Sequence, residues 1–318
     1  MTLSNFQPSL ADFERAAQAI ADDAIQSPLL RLHTAAASEI RLKAENLQPL
    51  GSFKIRAGAN ALAMLCDTEL AQGVATASAG NFAQGLALAA ARRGIPLNVH
   101  VPSSAPAVKL AAISQLGARI QTHAYADWWA IMATRNTGAD DGKFIHPVCE
   151  PAVMLGNGTI ALELAKQCPR IDTVFVPVGG GGLLAGIALA FRALGMKVRI
   201  VGCEVETAAP LTKSRRAGRP VSIERVPSFV DGIGGASVFE EMWPLLSELA
   251  DDVVVVTLEE IRAAMRRLAR ESHLICEGAG AAAVAAALHG RDGDRNAVAI
   301  VSGGNIDLPV FADIVSVP

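Results

Sequence analysis

Short runs of β-branched and other apolar residues alternate along this chain with longer Ala- and Leu-rich stretches of helical period. Each run tends to close on Gly, Ser or Pro before the next helix begins. This alternation is the signature of an α/β protein. Strands are predicted at 74–76, 97–101, 119–122, 173–178, 198–202, 253–257 and 297–301, and helices near 54–66, 81–93, 105–117, 153–167, 183–195, 258–272 and 278–288. Several strands are apolar at nearly every position, so both faces of their sheet need helices over them, the condition of a parallel-rich, twisted sheet. Near the start, Ser9 and Asp12 form a capping pattern ahead of the apolar stripe Phe13, Ala16, Ala17 and Ile20, which predicts one more helix. The Gly-, Asp- and Pro-containing segment 136–151 is predicted to connect two lobes. The expected division is a large domain of residues 1–51 and 146–318 and a small domain of residues 52–145, with no fixed-period repeat.

Composition narrows the function. At 318 residues with 51% hydrophobic and 19% charged residues, the chain can build two domains with a sizeable core. A net charge of −3 without any long Lys/Arg run excludes nucleic acid and anionic membrane as main partners, leaving a small molecule. The five cysteines are widely spaced and show neither a disulfide framework nor zinc-ligand spacing, and the histidines show no metal spacing. His100 and His273 are expected to be satisfied or solvated, and Trp128-Trp129 to be a packing pair on a lobe surface. The N-terminus lacks the pattern of a signal peptide, and no apolar window approaches the roughly 18 residues of a membrane span. A cytoplasmic location is expected. The chain stops soon after its last predicted strand, so no regulatory domain is expected and saturation should be hyperbolic.

Four loops carry candidate chemistry. Gly-Ser-Phe-Lys-Ile-Arg at 51–56 sets Lys54 after an aromatic residue and before an apolar helix. A lysine deprived of water gives up its proton readily, and the neutral amine can form a Schiff base with a carbonyl cofactor. Gly179, Gly180, Gly181 and Gly182 follow a strand and open a helix, an arrangement whose converging N–H groups cradle a phosphate. Ser78, Ala79, Gly80 and Asn81 also lie between a strand and a helix and suit a substrate carboxylate, or an ordinary cap by Ser78. Ser302-Gly303-Gly304-Asn305 ends the last strand, where open α/β sheets bind ligands. The same glycines permit another reading: Gly180-x-Gly182-x-x-Ala185, with Glu204 beyond the next strand, matches a dinucleotide fingerprint and would suit an NAD-dependent oxidoreductase.

Taken in order, Lys43–Gln48, the lysine motif, SAGN at 78–81, GNGT at 156–159, the glycine loop, DGI at 231–233, EGAG at 277–280 and SGGN at 302–305 resemble one family. It is the threonine/serine dehydratase (threonine ammonia-lyase) and serine racemase group of fold-type II pyridoxal-phosphate enzymes, whose fold is that of the tryptophan synthase β chain. The resemblance implies pyridoxal 5'-phosphate bound covalently by Lys54, with Phe53 against its ring. It implies phosphate binding by Gly179 to Gly182 beside Leu183, a ring-hydroxyl contact from Asn81, a pyridine-nitrogen contact from Ser302, and Gly232 at the cofactor. Ser78, Ala79, Gly80, Asn81 and Phe82 would meet the substrate. Lys54 would then act as the base at Cα, and loss of the β-hydroxyl would lead to a 2-oxo acid and ammonia. A homodimer is also implied.

The departures from the family carry information. Racemases of the group place a second serine where this chain has Ala79, so racemisation is disfavoured. Phe82 replaces the usual His, which points to a bulkier or more apolar substrate: phenylserine, 3-hydroxyaspartate and hydroxyectoine-type compounds join threonine and serine as candidates. Glu204 and Ala208 match a divalent-cation site, but Pro210 stands where its aspartate belongs, leaving the cation open. Glu277 is a further candidate near the substrate. A protein that holds the cofactor without turnover is the remaining alternative.

Overall fold

A computed structural model of the chain describes residues 3–32, 39–289 and 296–317. The described strands are β1 (Leu29–Leu32), β2 (Glu39–Lys43), β3 (Val74–Ala77), β4 (Leu97–Pro102), β5 (Arg119–His123), β6 (Lys143–Phe144), β7 (Thr173–Pro177), β8 (Arg199–Val205), β9 (Asp252–Val256) and β10 (Asn296–Ile300). They form a six-stranded sheet in the order β1-β2-β10-β7-β8-β9 and a four-stranded sheet in the order β5-β4-β3-β6. Only the β1–β2 pairing is antiparallel among these strands.

The apolar runs take the central positions. Every residue of β7 and β3 is buried, whereas the edge strands β9 and β5 carry exposed or half-exposed residues. Strand alternation then sorts the side chains. Val174, Val176, Val298 and Ile300 join the core under helices Pro151–Gln167 and Gly182–Ala193. Phe175, Val201, Ala297 and Ala299 turn to the opposite face, under helices Leu258–Ser272 and Gly278–Leu288. The small sheet has its own core, which includes Ile55, Leu62, Leu86 and Val99.

The helix predicted at 54–66 stops at Ala63, and Ala63 and Cys66 are exposed. Its apolar run breaks because Cys66 caps the next helix, Asp67–Ala71, its N–H donating to Glu69 Oε2 at 3.0 Å. Strands β1, β2 and β6 and helix Tyr125–Thr134 lie outside the predicted elements. The helix before Ile20 forms as expected, its Ser9 N–H and hydroxyl both donating to Asp12 at 2.7 Å.

Candidate active site

Segments that follow β3, β4, β6, β7 and β10 line one cavity of about 820 Å³. Carboxyl ends of parallel strands are where such sheets leave room for ligands. Phe53, Lys54, Ser78 to Phe82, Gly179 to Leu183, Gly232 and Ser302 all lie on its wall, so loops far apart in sequence are brought together.

Lys54 is the first residue of helix Lys54–Ala63. The segment before it is fixed to the last loop: Phe53 N–H donates to Ser302 O at 3.1 Å, Gly304 N–H donates to Gly51 O at 2.8 Å, and Ser52 bridges Gly303. The helix crosses Asn81–Arg93 so closely that a Cβ on Gly85 would stand 2.8 Å from the Lys54 carbonyl carbon. The lysine Nζ lies 4.9 Å from the Phe53 ring centre and 5.7 Å from that of Phe82. Burial of the amine draws its pKa down to about 8, and the Glu277 carboxylate opposes that fall. Near neutrality such an amine is within reach of its nucleophilic, basic form.

The glycine loop meets its helix at Gly181, whose φ of +94° is left-handed. A Cβ there would stand 2.5 Å from Leu246 Cδ1, and one on Gly180 would stand 2.5 Å from Val148 Cγ2. Residues with side chains are therefore kept out of the loop, and the first N–H groups of the helix, which have no intrahelical acceptor, are left for an anion. Gly181→Ala is expected to weaken phosphate binding about tenfold and to destabilise the fold by about 1–2 kcal/mol, the cost of a left-handed alanine. A lower urea midpoint at unchanged slope measures the second effect.

Opposite this loop, Gly80 has open space where its Cβ would be, so a small anion can approach the 78–81 backbone. Helix Asn81–Arg93 starts directly after it, with Gly80 rather than Ser78 as cap. The Asn81 amide is locked: its Nδ2 donates to Glu277 at 3.0 and 3.3 Å, and its Oδ1 accepts from Asn305 Nδ2 at 2.9 Å. Glu277 is 5% exposed and precedes helix Gly278–Leu288. Burial pushes its carboxyl up to about 7, while the Asn81 bond pulls it back. Sequence reasoning only touched on Glu277, because nothing local ties position 277 to position 81.

Glu204 and Ala208 do not line the cavity. The Glu204 carboxylate caps helix Pro210–Ala217, accepting from Leu211 N at 2.7 Å, Thr212 N at 2.8 Å and Thr212 Oγ1 at 2.7 Å. Its oxygens are thus engaged by helix donors, and a ribose hydroxyl has no claim on them, which removes the anchor of the dinucleotide reading. Among the described residues, no group of three or more His, Cys, Asp or Glu is placed to hold a metal ion. His100 is satisfied, bonding His123 at 2.9 Å and Asp141 at 3.1 Å. Trp128 and Trp129 do pack together at the surface, their ring centres 6.1 Å apart, and both residues also line the cavity.

Pyridoxal phosphate fits what is present. A desolvated amine, a side-chain-free anion cradle, Ser302 and a fixed Asn81 amide line one cavity, the donor set that a carbonyl-bearing ring with one phosphate calls for. The family described as "Pyridoxal-phosphate dependent enzyme" matches residues 20–303. The chain is similar to an L-threonine ammonia-lyase of Thermotoga maritima, with 39% identity over 87% of this chain and 70% of the relative. Among solved structures, maize serine racemase superposes with a TM-score of 0.86 at 31% identity, covering 97% of both chains. The processed form of threonine deaminase isoform 2 from Solanum lycopersicum also gives 0.86, at 33% identity, covering 96% of this chain and 92% of that one.

Proposed function

Since this chain belongs to the pyridoxal-phosphate dependent enzyme family, we propose that it is an ammonia-lyase that converts a β-hydroxy-α-amino acid of the threonine/serine type to a 2-oxo acid and ammonia. The observation that carries this reading is the Lys54 amine, with its lowered pKa, on the same cavity wall as the glycine cradle. The similarity to threonine ammonia-lyase and threonine deaminase supports the reaction type.

Pyridoxal phosphate, when bound, supplies a carbonyl that amines can join and a ring that withdraws the electron pair left at Cα. The rest falls to the protein. In our reading Gly179 to Gly182, beside Leu183, hold the phosphate, Ser302 meets the ring nitrogen, Asn81 meets the ring hydroxyl, Phe53 lies against the ring and Gly232 leaves space beside it. Ser78, Ala79 and Gly80 take the substrate carboxylate on their backbone, with Asn81 and Phe82 alongside. Lys54 in its neutral form takes the Cα proton, and the ammonium so formed carries the proton that the β-hydroxyl needs to leave, with the C–O electron pair, as water. The free enamine tautomerises to an imine, and one water returns in its hydrolysis, which frees ammonia. Ala79 carries no hydroxyl, so this position cannot return a proton to the other face of Cα; elimination is thereby favoured over racemisation.

The sign of the pH dependence follows from the base. Only the neutral amine can accept the Cα proton, so kcat is expected to rise with pH and level off above about 8. A rate that falls as pH rises from 6 to 8 would remove Lys54 from that role. The test of the function itself is a visible absorption spectrum of the purified protein, followed by 2-oxo acid detection with a panel of β-hydroxy amino acids. A Lys-dependent chromophore with product formed supports the lyase. A colourless protein that cannot be loaded with pyridoxal phosphate overturns it.

Three coarser features complete the proposal. The small domain of residues 52–145 binds the substrate and lends Phe53, Lys54 and Asn81 to the cofactor, while the large domain of residues 1–51 and 146–318 supplies the phosphate cradle, Gly232 and Ser302. The enzyme is a homodimer, two-fold assembly being the commonest arrangement. It works in the cytoplasm, a reading supported by five free cysteines, one of them exposed. Among the described residues no helix is long and apolar enough to cross a membrane.

A further inference from the structure

We propose that the cavity selects substrates whose Cβ carries an aromatic group, a 3-arylserine in preference to threonine. This rests on the lyase reading above and adds the side chain that the same site accepts. Aromatic residues are scarce here: they make up 4% of the chain, with one Tyr and three Trp. The single Tyr and two of the Trp nevertheless sit at 125, 128 and 129 of one helix, and with Met132 they line the cavity. Positions i, i+3, i+4 and i+7 share one helical face, so this is a continuous apolar stripe turned towards the ligand space. Tyr125 is 59% and Trp129 36% exposed, whereas Met132 lies in a small core cluster with Trp128 packed against it, so the stripe is anchored at two positions and open at the other two. An exposed apolar stripe rimming a cavity marks a place where apolar ligand surface is received.

The wall is also rigid. Trp128 Nε1 donates to the His100 carbonyl at 3.1 Å, and the Tyr125 and Trp128 ring centres lie 5.7 Å apart. Trp129 stacks on Phe239 at 5.9 Å with an interplanar angle of 15°. Near Lys54 the lining is Phe82, so an apolar surface begins at the reacting end of the cavity. The cavity of about 820 Å³ houses the cofactor residues and this aromatic wall together, so a substrate held at Lys54 lies in the same space as Tyr125 and Trp129.

An anionic side chain, as in 3-hydroxyaspartate, is the competing occupant. The cavity is also lined by Lys109 and Arg225, but the Lys109 ammonium is paired with Asp231 and Arg225 is exposed to solvent. The cationic character available to a second carboxylate is therefore partly neutralised and well hydrated, whereas Tyr125 and Trp129 still present apolar ring surface to the cavity.

The test compares kcat/KM of the holoenzyme for 3-phenylserine, threonine, serine and 3-hydroxyaspartate. Alongside, intrinsic tryptophan fluorescence is titrated with phenylalanine, which lacks a β-hydroxyl to lose. We expect phenylserine to exceed threonine by at least about tenfold, and Trp129→Ala to lower the phenylserine-to-threonine ratio about tenfold, equivalent to about 1.4 kcal/mol. Phenylalanine should bind saturably, about tenfold more weakly in that variant. Tyr125→Ala, at a more exposed position, gives the same reading if the tryptophan variant does not fold. A preference for threonine or serine, or for 3-hydroxyaspartate, overturns the aryl pocket and leaves the lyase intact. If no amino acid is turned over, the lyase reading fails. The phenylalanine titration then decides the pocket alone, a Trp129-dependent change supporting it and its absence refuting it.

Discussion

Replacing Lys54 with alanine is expected to lower turnover by at least about 10³-fold while leaving the fold intact. Two losses combine in this variant. The covalent anchor for a carbonyl cofactor disappears, and so does the base at Cα, a role worth about 10²–10⁴-fold by itself. Stability should hold because the amine is a desolvated group, its pKa pulled down to about 8, and removing it relieves a burial cost. Lys54→Arg should be equally inactive, because a guanidinium cannot be deprotonated at working pH. Steady-state kinetics, the visible spectrum and a urea titration on each variant separate these effects. An alanine variant with more than a few per cent of wild-type turnover would place the base elsewhere.

Arg56→Ala is expected to cost about 3–5 kcal/mol of stability, the range for breaking a buried ion pair from one side. Arg56 is 1% exposed, two residues beyond Lys54 on the same helix. Its guanidinium takes both oxygens of Glu45, at 2.8 and 2.9 Å, and also donates to Glu163 at 2.7 Å, Thr159 Oγ1 at 3.1 Å and Ile25 O at 3.1 Å. Lys43, fully buried, donates to Glu163, to Ser27 O at 2.8 Å and to Gln167 at 2.9 Å. Two cations and two carboxylates thus neutralise one another beneath the catalytic helix. Without Arg56, Glu45 becomes a buried charge with only the Ser27 hydroxyl and the distant Lys43 to offset it. Arg56→Lys should recover little, since an ammonium cannot span both oxygens of Glu45 and also reach Glu163. A urea midpoint within the error of wild type for Arg56→Ala would show that the cluster is dispensable. The cluster also explains why the first turn bearing Lys54 is held so firmly: Arg56 ties its helix to Glu45, two residues beyond β2, and to Glu163 of helix Pro151–Gln167, which Lys43 of β2 binds in turn.

Much of this protein follows from short-range pattern. The alternation of apolar strands and Ala-rich helices specified the α/β class, because periodicity and turn residues act over a few positions and do not wait for partners. The seven strands expected along 74–301 all form, within three residues of their predicted ends. Lys54 before an apolar helix and four glycines between a strand and a helix marked their chemistry in the same way, since each needs only its own neighbours to express it.

What the tertiary structure decided depends on partners distant in sequence. Strands β1 and β2 are short, mixed in character and stable only against each other and β10, so no local signal announces them. Glu204 matched two ligand-binding patterns in sequence, yet its carboxylate reaches forward to cap a helix. Glu277 gains its place from Asn81, 196 positions away. Arg56 gains its neutrality from Glu45 and from Glu163, 107 positions away. The stripe Tyr125, Trp128, Trp129 and Met132 would suit a core as well as a pocket, and only the docking of its helix beside the cavity exposes it to a ligand. Local propensity determined the central strands and the helices that flank them. Burial and charge pairing across the assembled lobes determined which of its polar and aromatic groups are free to meet a substrate.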